Sequence, residues 1–452
     1  MSANEELLRW DAEHIVHSLY PIGRNRELMI ERAEGVTLED HQGKKYLDFS
    51  SQLDCVNLGY GRSELVAVAE KAMRETSFLT TFFGLSNRAS IECAKALCEL
   101  TPPGLDHFFF SAGGSESNEA AFMMARRYWQ SVGRPTKHKI ISQYGCYHGA
   151  TFAARSCTNM GRGSLDMGLM QTLPGFLHAP HFHCYRCMLG LRYPECGVKC
   201  VDFIADMIER EGRDNVAAFI AEPVIGAPGM VPPPPEYWPK LRAVCTAHDV
   251  LLIADEVMTG FYRTGKAFAC EHWNVTPDLM TMAKGITSAY FPVGVLAFNE
   301  RVYEGMKGQV EEGHTYSGHP VGMAIAVKAM EIYRQEKIGE HVIALGMHLL
   351  DRLREEVLPL PHVGDVSGLG FMGGIEIVAD KETRQPFERS LGVIGRIKAQ
   401  ALNRGLFMRS AVIEEGMGDR VVWSPPLTMT REELDRAVDI LKGILTELEP
   451  AV

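Results

Sequence analysis

Residues 250–265 read VLLIADEVMTGFYRTG. The segment opens with five apolar residues in a row and then reaches two adjacent carboxylates, Asp255 and Glu256. A short apolar run without alternation is typical of a strand that is buried on both faces of a parallel sheet. Open parallel sheets bind their ligands at the carboxyl ends of the strands. Asp255 is therefore expected to be either a ligand contact or a hydrogen-bonded structural acid.

A second apolar segment, DLMTMAKG at residues 278–285, ends in Lys284. A lysine at the end of a buried strand is unfavourable unless it is paired or used, and burial lowers its pKa, which makes it a good Schiff-base nucleophile. An acid and a lysine at neighbouring strand ends suit pyridoxal 5′-phosphate. The lysine holds the aldehyde as an imine, and the aspartate pairs with the protonated pyridine nitrogen. For one such pair alone, two unrelated residues at the edge of the core are the commoner explanation.

The same region also resembles the strand and phosphate loop of P-loop ATPases. GFYRTGK at residues 260–266 has the Gly-x-x-x-x-Gly-Lys spacing, but Ala267 stands where a metal-binding Ser or Thr is required. The loop also follows the acid directly, whereas a P-loop precedes its acid by a βα unit. These two differences exclude the ATPase interpretation.

The composition indicates a soluble protein of a reducing compartment. The chain has 452 residues, which is enough for two domains with a large core. Its net charge of -11 argues against nucleic acid or an anionic membrane as the main partner. We find no signal peptide and no membrane span, and 11 cysteines, an odd number, argue against a disulfide framework. A cytoplasmic location is expected.

Strands alternate with helices along most of the chain, which predicts a doubly wound α/β sheet. One such unit is the apolar run at residues 107–110, the glycine turn at 111–114 and a helix to about Trp129. The helix N-terminus at Gly114 and Ser115 favours a phosphate, and a capped helix without a ligand is the alternative.

Two further predicted strands end at candidate site residues. Residues 140–142 lead to Tyr147 and His148. Tyr147 could stack on a planar cofactor or pack at the edge of the core, and His148 is either catalytic or held in a structural hydrogen bond. A strand from residue 216 ends at Glu222.

The pattern changes in the last quarter of the chain, where helices alternate with short strands. We predict a large domain at residues 66–327 and a smaller α+β domain that is formed by residues 1–65 and 328–452. Both chain termini therefore contribute to the smaller domain.

Eight short motifs identify a family. They are GYG at Gly59, GSES at Gly114, YHG at Tyr147, AEPV at Ala221, DEVMTGFYRTG at Asp255, AKG at Ala283, HTYSGHP at His314 and PPLTMT at Pro425. In this order they resemble those of the class III pyridoxal-phosphate-dependent aminotransferases, the group with ω-amino acid:pyruvate and amine:pyruvate transaminases. The resemblance extends over residues 34–448. It implies fold type I and ping-pong transfer of an amino group from an ω-amine, diamine or ω-amino acid to pyruvate or another oxo acid.

The resemblance also implies a role for each matching residue. Lys284 carries the cofactor and moves the proton between the substrate carbon and C4′, and Asp255 pairs with the pyridine nitrogen. The other implied contacts are Gly114 and Ser115 at the phosphate, Val257 and Tyr147 on the two ring faces, Glu222 on the Asp255 side of the ring, and Thr315 at the phosphate of the neighbouring subunit. The active unit is then a homodimer or a dimer of dimers. Arg409 matches the arginine that receives a substrate carboxylate.

One departure from the family lies in the expected substrate pocket. Leu53-Asp54-Cys55 stand where many amine transaminases have Leu-Trp-Cys. An acid there disfavours bulky apolar amines and could receive a second ammonium group. We therefore expect a polar or diamine-like donor, bound near Asp54, Tyr147 and Arg409. The alternative is that Asp54 points away and pairs with a surface arginine.

A second departure is the segment HAPHFHCYRCMLGLRYPECGVKC at residues 178–200. Cys184-x-x-Cys187 and Cys196-x-x-x-Cys200 have the spacing of a zinc knuckle, with three histidines nearby. A redox pair or plain reduced thiols are the alternatives.

Two other functions compete with transamination. ESNEAA at residue 116 and GMG at residue 416 resemble dialkylglycine decarboxylase, but Val422 and Tyr147 stand where that enzyme has arginine and tryptophan. The other competitor is a catalytically silent, zinc-bearing scaffold. The presence of Lys284, Asp255 and Tyr147 argues against it, since a silent protein does not need a buried lysine beside an acid.

Overall fold

The structure, a computed structural model, describes residues 3–18, 20, 22, 28–160, 172–309, 313–412 and 418–448. Its strands are β1 (Ile30–Glu34), β2 (Thr37–Asp40), β3 (Lys45–Asp48), β4 (Leu105–Ser111), β5 (Lys139–Gln143), β6 (Phe176–Ala179), β7 (Val216–Ala221), β8 (Leu251–Asp255), β9 (Leu279–Met282), β10 (Gly294–Asn299), β11 (Val363–Leu369), β12 (Met372–Ile377), β13 (Leu406–Phe407), β14 (Arg409–Val412) and β15 (Asp419–Trp423). Its α-helices are α1 (Ala3–His14), α2 (Ser51–Asp54), α3 (Ser63–Glu75), α4 (Arg88–Cys98), α5 (Gly114–Ser131), α6 (Phe152–Cys157), α7 (Lys199–Glu211), α8 (Tyr237–Ala247), α9 (Glu300–Met306), α10 (Pro320–Gln335), α11 (Ile338–Arg352), α12 (Val393–Asn403) and α13 (Arg431–Thr446).

A seven-stranded sheet with the order β4-β10-β9-β8-β7-β5-β6 occupies the middle of the chain. The strands from β9 to β6 pair in parallel, and β10 runs antiparallel to both β9 and β4. This arrangement confirms the predicted α/β class with a mixed sheet. The sequence did not predict β6 and β10, because β6 has only four residues and β10 begins at a glycine that follows a loop.

Strand β8 is apolar on both faces because both faces are covered. Leu251 and Ile253 pack in the hydrophobic cluster that includes α5 residues, whereas Leu252 and Ala254 pack in the cluster that includes Trp238 of α8. Burial of each leucine or isoleucine side chain contributes about 1.5–3 kcal/mol. By the same alternation the next residue, Asp255, points to the side of α5.

Two smaller sheets are built from the ends of the chain. In the first, with the order β1-β2-β3-β13, strand β13 pairs in parallel with β3, so N-terminal and C-terminal residues share one sheet. The second is antiparallel, with the order β11-β12-β15-β14. The pairing of β3 with β13 agrees with a small domain that is formed by both ends of the chain. The exact boundaries of the two domains stay predictions.

The helix that was predicted from the glycine turn at residues 111–114 to about Trp129 is α5, which begins at Gly114 and ends at Ser131. The N-terminus of α13 is capped by Thr430, whose side chain accepts a hydrogen bond from the backbone N–H of Glu433 at 3.3 Å. Within the described ranges, no helix is long and apolar enough to cross a membrane.

Candidate active site

Three predicted site residues meet at one edge of the large sheet. Asp255 ends β8, Lys284 lies two residues after the neighbouring strand β9, and Glu222 directly follows β7. Because β7, β8 and β9 are parallel neighbours, their carboxyl ends lie side by side. Ligands of open α/β sheets bind at this edge, the carboxyl ends of the parallel strands.

The carboxylate of Asp255 is held in one orientation by its neighbours. It is 3% exposed, and its Oδ2 accepts a hydrogen bond from Nδ2 of Asn118 at 2.8 Å and lies 2.8 Å from Nδ1 of His148. Its Oδ1 accepts the backbone N–H of Val257 at 3.1 Å. Asn118 is itself fixed, since its Oδ1 accepts from the hydroxyl of Thr281 at 2.8 Å.

His148 is therefore engaged in a hydrogen bond with Asp255, which was one of the two predicted alternatives. Burial acts to lower the pKa of His148, but the neighbouring Cys146 and the hydrogen bond to Asp255 raise it well above its ordinary value. The raised pKa favours the protonated imidazole, which pairs with the carboxylate. His148 therefore helps to fix the orientation of the Asp255 carboxylate.

Lys284 has an unusual backbone and an unusual amine. Its φ angle is +47°, in the left-handed region that non-glycine residues enter at a cost, which is typical of functional sites. Its side chain is 23% exposed, and Nζ lies 3.7 Å from Oδ2 of Asp54. Burial lowers the pKa of Lys284, and the charge of Asp54 opposes this effect. A larger fraction of the amine is therefore neutral than in a free lysine.

The N-terminus of α5 is in close contact with two neighbouring segments. A Cβ on Gly114 would lie 2.8 Å from Cγ1 of Val257, and a Cβ on Gly149, whose φ is +136°, would lie 2.5 Å from Oγ of Ser115. The backbone N–H of Ala150 donates to the same Oγ at 3.2 Å. Glycine at both positions permits this approach, and the free N–H groups of the first helical turn favour an anion.

Glu222 positions the loop of Tyr147. Its Oε2 accepts the backbone N–H of Tyr147 at 3.1 Å and its Oε1 accepts that of Gly226 at 3.0 Å. The carboxyl group is buried, and burial raises the pKa of Glu222 to about 7. Glu222 therefore holds Tyr147 at the sheet edge through the main chain.

Asp54, which is buried, and Arg409, which is partly exposed, form an ion pair beside Lys284. Nη1 of Arg409 donates to Oδ2 of Asp54 at 2.9 Å, and the hydroxyl of Ser424 donates to Oδ1. Asp54 is 1% exposed. The alternative in which it turns away to a surface arginine is therefore wrong: its partner is Arg409, which the sequence also predicted for the substrate pocket.

Arg263 supports the segment that carries Asp54, and the sequence analysis did not find it. It is fully buried, and its Nη2 donates to Oδ1 of Asn57 at 2.8 Å and to Oγ of Ser51 at 3.2 Å. Burial lowers its pKa to about 10. The supported segment is strained, with φ angles of +44°, +59° and +61° at Ser51, Gln52 and Asp54. The available signal in the sequence was an arginine between Tyr262 and Thr264, inside a short segment that begins and ends with Gly260 and Gly265.

Thr315 lies on the loop whose His314 approaches the first turn of α5, with Nδ1 of His314 4.0 Å from Oε2 of Glu116. It is exposed, and its neighbour Tyr316 is 61% exposed. The loop at 313–319 packs against the segment at 78–87, where the hydroxyl of Thr81 donates to the carbonyl of Ser317 at 3.1 Å. Within a single chain, Thr315 faces outward.

Comparisons with known proteins identify the family of this chain. The family model Aminotransferase class-III matches residues 21–445. The chain is 36% identical to a putrescine–pyruvate aminotransferase of Pseudomonas aeruginosa, over 99% of this chain and 98% of that protein. It is 37% identical to a diaminobutyrate–2-oxoglutarate transaminase of Halomonas elongata, over 91% and 88% of the two chains. A solved (S)-enantioselective omega-transaminase from Thermomicrobium roseum superposes with a TM-score of 0.92 at 38% identity, over 99% of both chains. The chain therefore belongs to the class III aminotransferases, which are pyridoxal-phosphate-dependent enzymes.

Proposed function

We propose that this aminotransferase takes its amino group from a donor that carries a second polar group, a diamine or an ω-amino acid, and passes it to pyruvate or another oxo acid. The observation that carries the proposal is the buried carboxylate of Asp54, 3.7 Å from Nζ of Lys284. A fixed negative charge beside the reacting amine favours a cationic substrate and disfavours an apolar one.

The residues at the sheet edge fit pyridoxal phosphate. Gly114 and Ser115 would hold its phosphate at the N-terminus of α5, where Gly114 and Gly149 permit the close approach of Val257 and of the histidine-bearing loop to the helix. Val257 and Tyr147 would flank the ring, and Asp255 would face its nitrogen. Because Asn118 and His148 already fix the Asp255 carboxylate, this contact needs no rearrangement of the acid.

The chemistry divides between the cofactor and the chain. Bound pyridoxal phosphate supplies an aldehyde for the amino group and an electron-poor ring that accepts the charge left at the donor carbon. Lys284 would attach the cofactor and then carry the proton between the donor carbon and C4′. Its lowered pKa suits this role, since a base is most effective with a pKa near the working pH.

Donor recognition would depend on Asp54. The named relatives support a donor with a second charged group, since putrescine is a diamine and diaminobutyrate has two amino groups. The distal ammonium of such a donor would compete with Arg409 for the carboxylate of Asp54. An aromatic monoamine has no second charged group that could replace Arg409 as the partner of Asp54.

Acceptor recognition would depend on Arg409. A guanidinium group pairs with a carboxylate through two parallel hydrogen bonds, so the carboxylate of pyruvate or another oxo acid would replace Asp54 as its partner. The two half-reactions would thus use opposite members of one ion pair. A single pocket can then accept a cationic donor and an anionic acceptor in turn.

We also propose that the enzyme works as a homodimer, or as a dimer of dimers, in the cytoplasm. Thr315 faces outward beside an exposed apolar patch formed by Phe78, Phe83, Leu85 and Tyr316, and Phe83 is 97% exposed. A second copy would cover this patch and bring Thr315 to the phosphate of the neighbouring subunit. All eleven cysteines are free, which suits a reducing compartment.

Decarboxylation of a dialkylglycine is the competing reaction. Its motif at residues 416–418 has Gly416 and Met417 outside the described residues. Val422, where an arginine would be required, is buried in β15 opposite Arg409 and offers no charge to a substrate. The pocket therefore favours transamination.

A donor screen with pure enzyme tests the proposal. Diamines, ω-amino acids and aromatic amines are added one at a time, and the absorbance of bound pyridoxal phosphate is followed. We expect diamines or ω-amino acids to bleach it fastest and pyruvate or another oxo acid to restore it. A faster reaction with aromatic amines would contradict the role of Asp54, and release of carbon dioxide from a dialkylglycine would support the competing reaction.

A further inference from the structure

The segment between β6 and α7 brings four cysteines to one cavity that transamination does not use. Cys184 begins the 3-10 turn Cys184–Arg186, and Cys200 lies in the first turn of α7. The residues that line the cavity include Cys184, Cys187, Cys196, Cys200, His181 and His183. The cavity has a volume of about 20 Å³, which is enough for one water-sized body.

His183 is a second and independent sign that this cavity has a ligand. Its side chain is 2% exposed and lines the cavity, and neither ring nitrogen has a hydrogen-bond partner among the described residues. A neutral imidazole has one N–H and one lone pair, and leaving both unpaired in the interior is unfavourable. A ligand or an ionised group in the cavity would give the N–H an acceptor.

We propose that Cys184, Cys187, Cys196 and Cys200 bind one structural Zn²⁺ ion. The pairs Cys184-x-x-Cys187 and Cys196-x-x-x-Cys200 have the two short spacings that tetrahedral zinc sites use. Four thiolates are a donor set that selects zinc over the harder divalent ions. On binding, each thiol gives its proton to solvent and forms one Zn–S bond. The N–H of His183 can then donate to a thiolate sulfur.

Binding would draw the four sulfur atoms together. A Zn–S bond of about 2.3 Å in a tetrahedron places the sulfurs about 3.8 Å apart. Across the described ranges, the one group of three or more candidate ligand atoms within 4.8 Å of one another is Asp106, His107 and Glu300. That group lies at the surface with no buried, unpartnered side chain, so it carries no proposal. The cysteines instead need a shift of their loop around the ion.

The zinc ion would stabilise the contact between this segment and the C-terminal antiparallel sheet. Tyr185 and Arg186 lie between two of the proposed ligands. Nε of Arg186 donates to Oε1 of Glu376 on β12 at 2.9 Å and its Nη1 to the carbonyl of Arg384 at 2.6 Å. Arg384 returns a hydrogen bond to the carbonyl of Tyr185 at 2.7 Å. Fixing the turn in advance would reduce the entropy cost of these contacts.

The zinc content of the purified, untagged holoenzyme tests the proposal directly. We expect close to one zinc per chain after growth with zinc. The double variants Cys184→Ser/Cys187→Ser and Cys196→Ser/Cys200→Ser should each lose it. Cys98→Ser, which changes an exposed cysteine outside the cavity, should keep it. Zinc content well below one per chain in the wild-type enzyme, or retained in both double variants, would overturn the proposal.

A second measurement covers variants that fail to fold. The wild-type holoenzyme is stripped with a chelator and titrated with Co²⁺, and a one-to-one end point with the absorption of a tetrahedral thiolate complex is expected, reversed by Zn²⁺. Absence of that absorption, or an intact mass that is lower by two hydrogens for each bridge because the cysteines form disulfides, would contradict the site. Neither readout depends on transaminase activity, so the outcome is independent of the proposed donor.

Discussion

Nη1 of Arg409 donates a hydrogen bond to Oδ2 of Asp54 over 2.9 Å, although 355 positions separate the two residues in the chain. The pair lies beside Lys284, and Asp54 is almost fully buried. Each charge satisfies the other while no substrate is bound, and loss of either would leave an unpaired charge in the interior. A cationic donor can pair with Asp54 and an anionic acceptor with Arg409, and in each case the released member of the pair has to be hydrated or paired with another group.

Replacement of Asp54 by asparagine should impair diamine donors selectively. The amide keeps the size of the side chain but has no charge for the distal ammonium. We expect kcat/KM for the best diamine to fall about 30-fold, which corresponds to about 2 kcal/mol, while kcat/KM for an aromatic monoamine stays level or rises. Steady-state kinetics with diamines of increasing length and one aromatic amine measure the ratio.

Two further variants complete this test. Asp54→Trp should shift the preference towards the aromatic amine, because it restores an apolar wall. Asp106→Asn changes an exposed carboxylate outside the pocket and should leave the ratio unchanged. If the preference between diamine and aromatic amine is the same in wild type, Asp54→Asn and Asp54→Trp, then Asp54 does not select the donor.

Replacement of Arg409 by alanine should impair the other half-reaction. The oxo acid loses its bidentate partner, so its KM should rise about 10-fold to 100-fold. The donor half-reaction should change less, because Asp54 becomes free to bind an ammonium group. Single-turnover measurements of bleaching by the donor and recovery with the oxo acid separate the two effects. An equal loss in both directions would indicate general damage to the pocket.

The sequence predicted the sheet edge because the relevant signals are local. Asp255 and Lys284 each end an apolar segment, and neighbouring parallel strands place such ends together whatever the rest of the chain does. Asn118 was missed, although it lies one helical turn after Gly114 and so on the same face of α5 as the predicted phosphate site. Its contact with Asp255 follows from that periodicity.

The pairing of Asp54 with Arg409 was beyond sequence reasoning. It requires that the strained segment at residues 51–54 and the paired strands β14 and β15 lie side by side. Arg263 bridges these regions, since it donates hydrogen bonds to Oγ of Ser51 and to the carbonyl of Pro425, two residues after β15. Contacts between segments so far apart in the chain leave no repeating pattern in the sequence from which they could be predicted. The two residues were predicted separately, each from its own motif, and the structure supplies their contact.

Replacement of Gly149 by alanine should weaken cofactor binding. The new Cβ would lie 2.5 Å from Oγ of Ser115 and 2.9 Å from Cβ of both Ser115 and Ala154, so α5 or α6 would have to shift. We expect the Kd of pyridoxal phosphate to rise about tenfold or more, which corresponds to at least about 1.4 kcal/mol. Titration of the apoprotein with the cofactor measures it.

Gly133→Ala is the matched control for this substitution. Gly133 also has a positive φ, +81°, but nothing lies within 4 Å of the position that a Cβ would take there. Its alanine variant has the backbone strain without the contact with Ser115. If both variants lose affinity for the cofactor equally, then the strain, and not the displaced Ser115, is the cause.

The amine of Lys284 should take up pyridoxal phosphate at a lower pH than an ordinary lysine. Only the neutral amine reacts with the aldehyde, and the fraction of neutral amine rises with pH through the pKa. Burial lowers that pKa from 10.5, Asp54 opposes the shift and Arg409 adds to it. The uptake rate of the apoprotein should therefore rise to its plateau through a midpoint below 10.5, as measured by the absorbance of the bound cofactor at a series of pH values.

The two pocket variants should move this midpoint in opposite directions. Asp54→Asn removes a negative charge that favours the protonated amine, so the midpoint should fall. Arg409→Ala removes a positive charge that disfavours it, so the midpoint should rise. Ionisation of the free cofactor is the same in all three proteins and cancels in the comparison. Equal midpoints in wild type and both variants would show that the ion pair does not act on Lys284, whereas opposite shifts would place all three charges in one coupled site.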